Sequence, residues 1–389
     1  MSWRDISPNI RALGWVSFWT DLASSVVTTL LPLYVVYILD QGVDKLGVVV
    51  AVATFVSYAF RILFGYLSQR LGLVKPLVLL GYGISAVTKP MLALVSSYQG
   101  VALMRALERM GKAVRSAPKD ALISAWSERK HSGKTFGFHK TLDIAGELTG
   151  ALLVFLVLMR VPLDGQSIRW IFAATLLPGL FGMYLLWRRV EDAPAVHATP
   201  KRLVWDRRDR ALMPTLLVYF LALFFMFSDQ FMIVRARDAG LGDALIPLLV
   251  MVSTLTQTLT SYYSGLLSDR IGSRRMLLHA LLAAMASVFL LHIGWLWLGF
   301  VFYGLFTVVS LNAMRALISE QARSKAFVFG LFYGGIALAG ATGALVIGQL
   351  WARYGFDSAV RFSLTGLILL SLYLAWRCTV CDAVDQRRS

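Results

Sequence analysis

The chain has 389 residues, of which 57% are hydrophobic and only 15% charged, and its mean hydropathy is +0.66. A soluble domain is about 45–50% apolar and about 25% charged, so the composition excludes that class. The net charge of +16 invites a nucleic-acid reading. However, the basic residues recur in short connections between apolar runs, as the positive-inside rule requires, and no nucleic-acid partner is expected.

In chain order, Met1 to Arg11 is short and polar, lacks a cleavage site and leads straight into the first apolar run, so no cleavable signal is expected. A membrane span needs about 20 apolar residues. Twelve are predicted, roughly at 10–38, 46–69, 75–96, 98–118, 137–159, 168–188, 211–234, 244–268, 275–294, 296–316, 326–350 and 358–380. The predicted fold class is an all-α membrane protein with twelve transmembrane helices in two pseudo-symmetric six-helix halves.

Alternate connections differ in charge. One set holds Arg70 and Lys75, then Arg115, Lys119, Arg129, Lys130 and Lys134, then Arg188 through Arg210, Arg270, Arg274, Arg275, Arg323 and Lys325. The other holds mostly Asp40, Asp44, Asp164, Asp243 and Asp357 with scattered arginines. The basic set is predicted to be cytosolic, which puts both termini inside a bacterial inner (plasma) membrane.

Two spans carry charges that lipid would not tolerate. On the fourth, Arg105, Glu108, Arg109, Lys112, Arg115 and Lys119 share an arc of about 120°. On the fifth, His139, Asp143 and Glu147 follow at i, i+4, i+8. An antiparallel pairing predicts Arg109 opposite Glu147 and Lys112 opposite Asp143. Three readings stay open: mutual neutralisation, a cavity whose excess basic charge attracts an anion, and a proton relay through His139, Asp143 and Glu147. A charge at the bilayer centre costs at least about 2.5–3.5 kcal/mol, so such groups face a partner or a wet cavity. Arg61 and Lys89, which interrupt the second and third spans, are expected to snorkel from span ends.

The polar, basic connection from Val190 to Arg210, with Pro194 and Pro200, divides the chain. The predicted domains are an N-terminal half at 1–189, a central cytosolic loop at 190–210 and a C-terminal half at 211–389. The halves repeat: GYLSQRLG at 65–72 returns as GLLSDRIG at 265–272, ALIS at 121–124 returns at 316–319, and TGAL at 149–152 returns at 342–345. Internal repeats in a polytopic protein point to alternating access around a site near the midplane.

GYLSQRLGLVKP and GLLSDRIGSRR resemble the loop 2–3 and loop 8–9 signatures of the major facilitator superfamily. The run from Arg115 to Leu122 and the segment FGFHKTLDIAG from Phe136 to Gly146 resemble one bacterial branch of it. This resemblance implies gating roles for Gly65, Gln69 and Arg70 and for Gly265, Asp269 and Arg270. The glycines would allow close helix approach, and the acid would pair with basic residues when the cytosolic side is shut. The first copy departs from the pattern, since uncharged Gln69 stands where the family has Asp. The resemblance also implies that the first, fourth, seventh and tenth helices line the cavity.

Asp21 and Asp229, within the first and seventh spans, are therefore candidates for proton coupling together with Glu108, Asp143 and Glu147. Arg105, Arg109 and Lys112, with Gln257 and Asn312 from the second half, are candidates for substrate binding, although single polar residues in membrane helices often serve as interhelical bonds. Gly146 and Gly150, and Gly335, Ala339 and Gly343, are read as tight backbone packing. Cys378 and Cys381 lack the further ligands of a metal or redox site. No P-loop or HExxH is present, so no enzyme activity, metal or cofactor is expected.

The expected function is secondary active transport of a small, anionic organic solute, coupled to protons. The expected partners are that solute, protons and the lipid bilayer, with a monomer as the oligomeric state. Uptake is favoured on resemblance alone, because some branch members are similar to siderophore permeases. Proton-driven drug or metabolite efflux is the alternative, and a non-transporting sensor on the same scaffold is the alternative of another class.

Overall fold

Apolar runs separated by proline, glycine and capping residues become helices. The computed structural model describes residues 6–71, 73–127, 132–192 and 207–386, and these hold fourteen α-helices and no strand. They are α1 (Pro8–Leu33), α2 (Val43–Leu71), α3 (Lys75–Met91), α4 (Tyr98–Ala125), α5 (Ser132–Leu158), α6 (Gly165–Ala174) and α7 (Leu176–Arg189). Then follow α8 (Arg207–Phe225), α9 (Asp229–Asp238), α10 (Ile246–Ile271), α11 (Ser273–His292), α12 (Leu296–Gln321), α13 (Lys325–Tyr354) and α14 (Phe356–Gln386).

Among the described residues, eleven stretches are long and apolar enough to cross a bilayer. The remaining crossing is α4, which spans 28 residues but carries the charged face. Two predicted spans are interrupted. The sixth breaks at Thr175, between α6 and α7, because Pro178 has no N–H to donate and its ring crowds the carbonyl four residues back. The seventh breaks at 226–228, between α8 and α9, so that Asp229 opens a new helix instead of lying inside one.

Helix ends follow local chemistry. Pro8 occupies the first position of α1, where a missing N–H is harmless. Ser97 caps α4 by accepting from the Gly100 N–H at 3.3 Å. Asp164 caps α6 by accepting from the Ser167 N–H at 2.7 Å. That bond holds the Asp164 carboxyl below its usual range, because it favours the ionised form. Gly272, which closes the second signature, has φ +87°, a left-handed turn between α10 and α11 that other residues rarely adopt.

The chain divides into two compact units, Met1–Pro200 with Gly242–Leu248, and Lys201–Leu241 with Leu249–Ser389. In the first, α1 packs along α5 and α7, and α4 along α2 and α3. In the second, α8 packs along α13 and α14, and α11 along α12 and α14. The α1–α5 pairing thus recurs as α8–α13, and α3–α4 as α11–α12.

Glycines make the first of these pairings close. A Cβ on Gly146 would meet Phe18 backbone atoms at 2.9 Å or less, and one on Gly150 would meet Ser25 Cβ at 2.9 Å and the Leu22 carbonyl still closer. In the other unit a Cβ on Gly343 would meet the Phe224 carbonyl oxygen at 2.5 Å. Around α1, α3, α4 and α7, the side chains of Leu13, Val16, Val78, Tyr82, Leu122 and Leu186 form a buried apolar cluster.

Candidate functional site

Because α4 brings i, i+3 and i+4 residues to one side, its charges meet each other first. Arg105 Nη1 lies 2.5 Å from Glu108 Oε2, and both side chains are only 4% exposed. Arg109 Nε lies 3.7 Å from the same carboxylate oxygen. Glu108 is thus a shared counter-ion for two arginines.

On α5, Asp143 gathers a different set: His139 Nδ1 at 3.4 Å, Lys140 Nζ at 3.9 Å and Lys119 Nζ at 4.0 Å. The expected Lys112–Asp143 pair is replaced by Lys119–Asp143, a shift of two turns along α4. Lys112 instead lies within electrostatic reach of Asp21 on α1 and of Glu108 on its own helix. Glu147 is half-buried on α5 and is itself engaged.

A second group of side chains joins α1, α3, α4 and α5. Ser17 Oγ lies 2.9 Å from the Tyr82 hydroxyl and 3.0 Å from His139 Nε2. The Arg115 guanidinium stacks over the Tyr82 ring at 4.4 Å and donates to Ser85 Oγ at 2.7 Å. Lys89 corrects the sequence reading. It does not snorkel: it is 1% exposed, and its Nζ donates to the Thr20 carbonyl oxygen at 3.0 Å. Its face of α3 turns inward toward α1, where the low dielectric makes nearby carboxylates strong partners. Half-buried Asp21 lies within electrostatic reach of Lys89, Lys112, Lys119 and His139.

The first unit therefore concentrates Lys89, Arg105, Arg109, Lys112, Arg115 and Lys119 against Asp21, Glu108, Asp143 and Glu147. Cations exceed carboxylates. Arg109, Lys112 and Lys119 remain partly accessible, whereas Arg105, Arg115 and Lys89 are buried supports. Among the described residues, no three His, Cys, Asp or Glu side chains converge as a metal site would require. Sequence reasoning missed Ser17, Tyr82 and Ser85, and misplaced Lys89. Ser17 was findable from its position four residues before Asp21, on the same face of α1.

The second unit is quieter. Asp229 sits in the first turn of α9, its Oδ1 accepting from the Gln230 N–H at 3.0 Å, where the helix dipole favours a carboxylate. Gln257 donates to Ser253 Oγ at 3.3 Å within α10. Asn312 donates to Ser264 Oγ at 2.9 Å and to the Ser261 carbonyl oxygen at 3.3 Å, an interhelical bond between α12 and α10.

The signature residues are also placed. A Cβ on Gly65 would stand 3.4 Å from that of Ala117, so α2 and α4 do approach there. At Gly265, by contrast, a Cβ would meet nothing within 4 Å. Arg70, Asp269 and Arg270 are exposed. The side chains of Gln69 and Cys381, and most of the central loop with Pro194 and Pro200, lie outside the described residues. Cys378 is half-buried toward the end of α14.

The model of the Major Facilitator Superfamily matches residues 13–236 and 215–387. The chain is a member of the major facilitator superfamily. Membership makes it a membrane transporter and not an enzyme. Among curated relatives of this superfamily member, an uncharacterised MFS-type transporter of Methanocaldococcus jannaschii is 28% identical over 386 residues, covering 94% of this chain and 95% of that one. An uncharacterised protein of Mycobacterium tuberculosis is 26% identical over 323 residues, 78% of this chain and 77% of that one.

Solved structures share the fold at low identity. A variant of the nucleoside transporter NupG gives a TM-score of 0.80 at 13% identity, over 94% of this chain and 98% of that one. A POT family transporter in complex with 5-aminolevulinic acid gives 0.79 at 12%, over 94% and 95%. A D-xylose-proton symporter gives 0.68 at 16%, over 94% and 96%.

Proposed function

We propose that this superfamily member is a proton-coupled secondary transporter of a small anionic organic solute, working inward across a bacterial plasma membrane. The observation that carries the reading is the uncompensated positive charge on α4, with Asp21 among its lysines. Arg109 and Lys112 are the partly accessible cations, and they receive the anion. Arg105 and Glu108 hold that face of α4 in shape.

Asp21 is the proton carrier, with Asp143 as a second acceptor beside His139. Protonating Asp21 removes a negative charge from among Lys89, Lys112 and Lys119, which strengthens the local field for an incoming anion. Deprotonation reverses this and favours release. One fold neighbour is a D-xylose-proton symporter, which supports proton symport as a chemistry of this scaffold. A siderophore-type metal chelate is the first substrate class to test, followed by simple carboxylates. Gly65, Gln69, Arg70, Gly265, Asp269 and Arg270 form the cytosolic gate in this scheme, with the domain division at 1–189, 190–210 and 211–389 and both termini in the cytosol.

The test is uptake into proteoliposomes under an imposed inward pH gradient, with a panel of labelled organic anions and neutral analogues. The wild type accumulates an anion. Asp21→Asn loses pH-driven accumulation while remaining monodisperse and able to exchange the same anion across the membrane. Unchanged accumulation by Asp21→Asn overturns the coupling assignment. Movement of solute against the inward proton gradient indicates export, and no flux with any solute favours a sensor.

A further inference from the structure

Away from the charged interior, the first unit has a groove between the N-terminal end of α1 and the C-terminal end of α7. Its volume is about 590 Å³, and its walls include Arg11, Trp15, Trp19, Phe181, Leu185 and Arg189. The two arginines stand at one end, where the helices reach the membrane surface. The aromatic side chains continue along the helices from there, with Trp19 and Phe181 in edge contact at 5.1 Å. Trp15 is 37% exposed and Phe181 45%, so the apolar wall faces outward.

No acid among the described residues pairs with Arg11 or Arg189. The two acids that follow Arg189 in sequence are used elsewhere: Glu191 accepts from Asn9 Nδ2 at 3.4 Å, and Asp192 accepts from the Lys75 N–H at 3.0 Å. Two guanidiniums with no acidic partner among the described residues, above an aromatic slot, match one kind of occupant, with an anionic head and an apolar tail. Guanidinium forks suit phosphate oxygens. Basic pockets between transmembrane helices on the cytosolic side suit acidic headgroups, and tryptophan suits the interface.

We propose that this groove binds an anionic glycerophospholipid of the surrounding leaflet, with Arg11 and Arg189 on its phosphate and an acyl chain along Trp15, Trp19 and Phe181. The site is separate from the transport site. It borrows from the proposed function only the side of the membrane, which makes the leaflet the cytosolic one.

The experiment is native mass spectrometry of the purified full chain, delipidated in detergent and titrated with phosphatidylglycerol or phosphatidylcholine of identical chains. The wild type and an Arg353→Gln control retain phosphatidylglycerol about 30-fold more tightly, from two basic contacts at a headgroup. Arg11→Gln/Arg189→Gln loses that preference, and Arg11→Lys/Arg189→Lys keeps most of it. Equal retention of the two lipids by the wild type overturns the proposal, as does a preference that survives the glutamine pair. Competition by glycerol phosphate as strong as by the lipid also overturns it, because the site would then hold a free anion.

Should the glutamine pair fail to fold, brominated-chain phosphatidylglycerol in vesicles reads the same contact. It quenches wild-type tryptophan fluorescence more than that of Trp15→Phe/Trp19→Phe, and equal fractional quenching overturns the assignment. Transport activity enters neither readout, so failure here leaves the transport reading standing, and the reverse holds too.

Discussion

Adding one methyl group should have opposite effects at two glycines of the same helix. At Gly146, a new Cβ would stand 2.9 Å from the Phe18 carbonyl carbon and Cα and closer still to its oxygen, all of them backbone atoms of α1. Backbone in a helix cannot rotate away as a side-chain tip can. Overpacking costs about 1–3 kcal/mol, and three backbone contacts argue for the upper half of that range. Replacing helical glycine by alanine returns about 1 kcal/mol of propensity. Gly146→Ala should therefore lose about 1–2 kcal/mol.

At Gly137, earlier on α5, a Cβ would meet nothing within 4 Å, so only the propensity gain remains, about 0.5–1 kcal/mol. The second unit supplies a replicate: Gly343 lies against Phe224 backbone, whereas Gly334 has open space. For units of this size, 1 kcal/mol moves the midpoint by about 2–4 °C. Thermal unfolding in detergent, followed by size-exclusion fluorescence, should show Gly146→Ala and Gly343→Ala melting several degrees below Gly137→Ala and Gly334→Ala. Were the four to melt together, or in the reverse order, the close helix approach derived from these glycines would be wrong.

Two further outcomes follow from the ion pairs and caps. Glu108→Gln leaves Arg105 buried without its counter-ion and should destabilise by about 3–5 kcal/mol, while Arg105→Gln/Glu108→Gln recovers most of that loss; a double variant no more stable than the single one refutes the pairing. Asp164→Ala should destabilise at neutral pH and lose its effect in acid, because a carboxyl whose folded pKa is depressed stabilises above its unfolded pKa and ceases to as pH falls through the folded one. A pH-independent Asp164→Ala effect in thermal melts between pH 3 and pH 7 would contradict the capping role.

The fold was legible because lipid imposes a simple rule: long apolar runs, basic connections on one side, and a repeat that survives in GYLSQRLG and GLLSDRIG. Contacts within a helix follow from spacing, as Arg105 with Glu108 and His139 with Asp143 do, although the sequence reading looked for the partners of α4 on α5 instead. Contacts across helices were not legible. Ser17 meets Tyr82 and His139 across sequence separations of 65 and 122 residues, and no local pattern encodes which helices touch. Lys89 was misread because its nearness to a span end suggested a route to water, whereas the facing side of α1 supplied a carbonyl. The break before Asp229 left only a faint trace, a Ser-Asp pair of the kind that begins helices, inside an otherwise apolar run.

The fourth crossing has a consequence for how the protein is made. With Arg105, Glu108, Arg109, Lys112, Arg115, Lys119 and Asp120 along it, α4 is the described crossing that fails to qualify as a membrane helix by itself. A segment this polar does not leave the translocon for lipid unaided. It has to be received by α2 and α3, which are synthesised before it and pack along it in the finished protein. Nascent chains truncated just after Ala125 should therefore hold α4 in the bilayer only when those two earlier helices are present, which makes insertion of the charged helix a cooperative step instead of a sequential one.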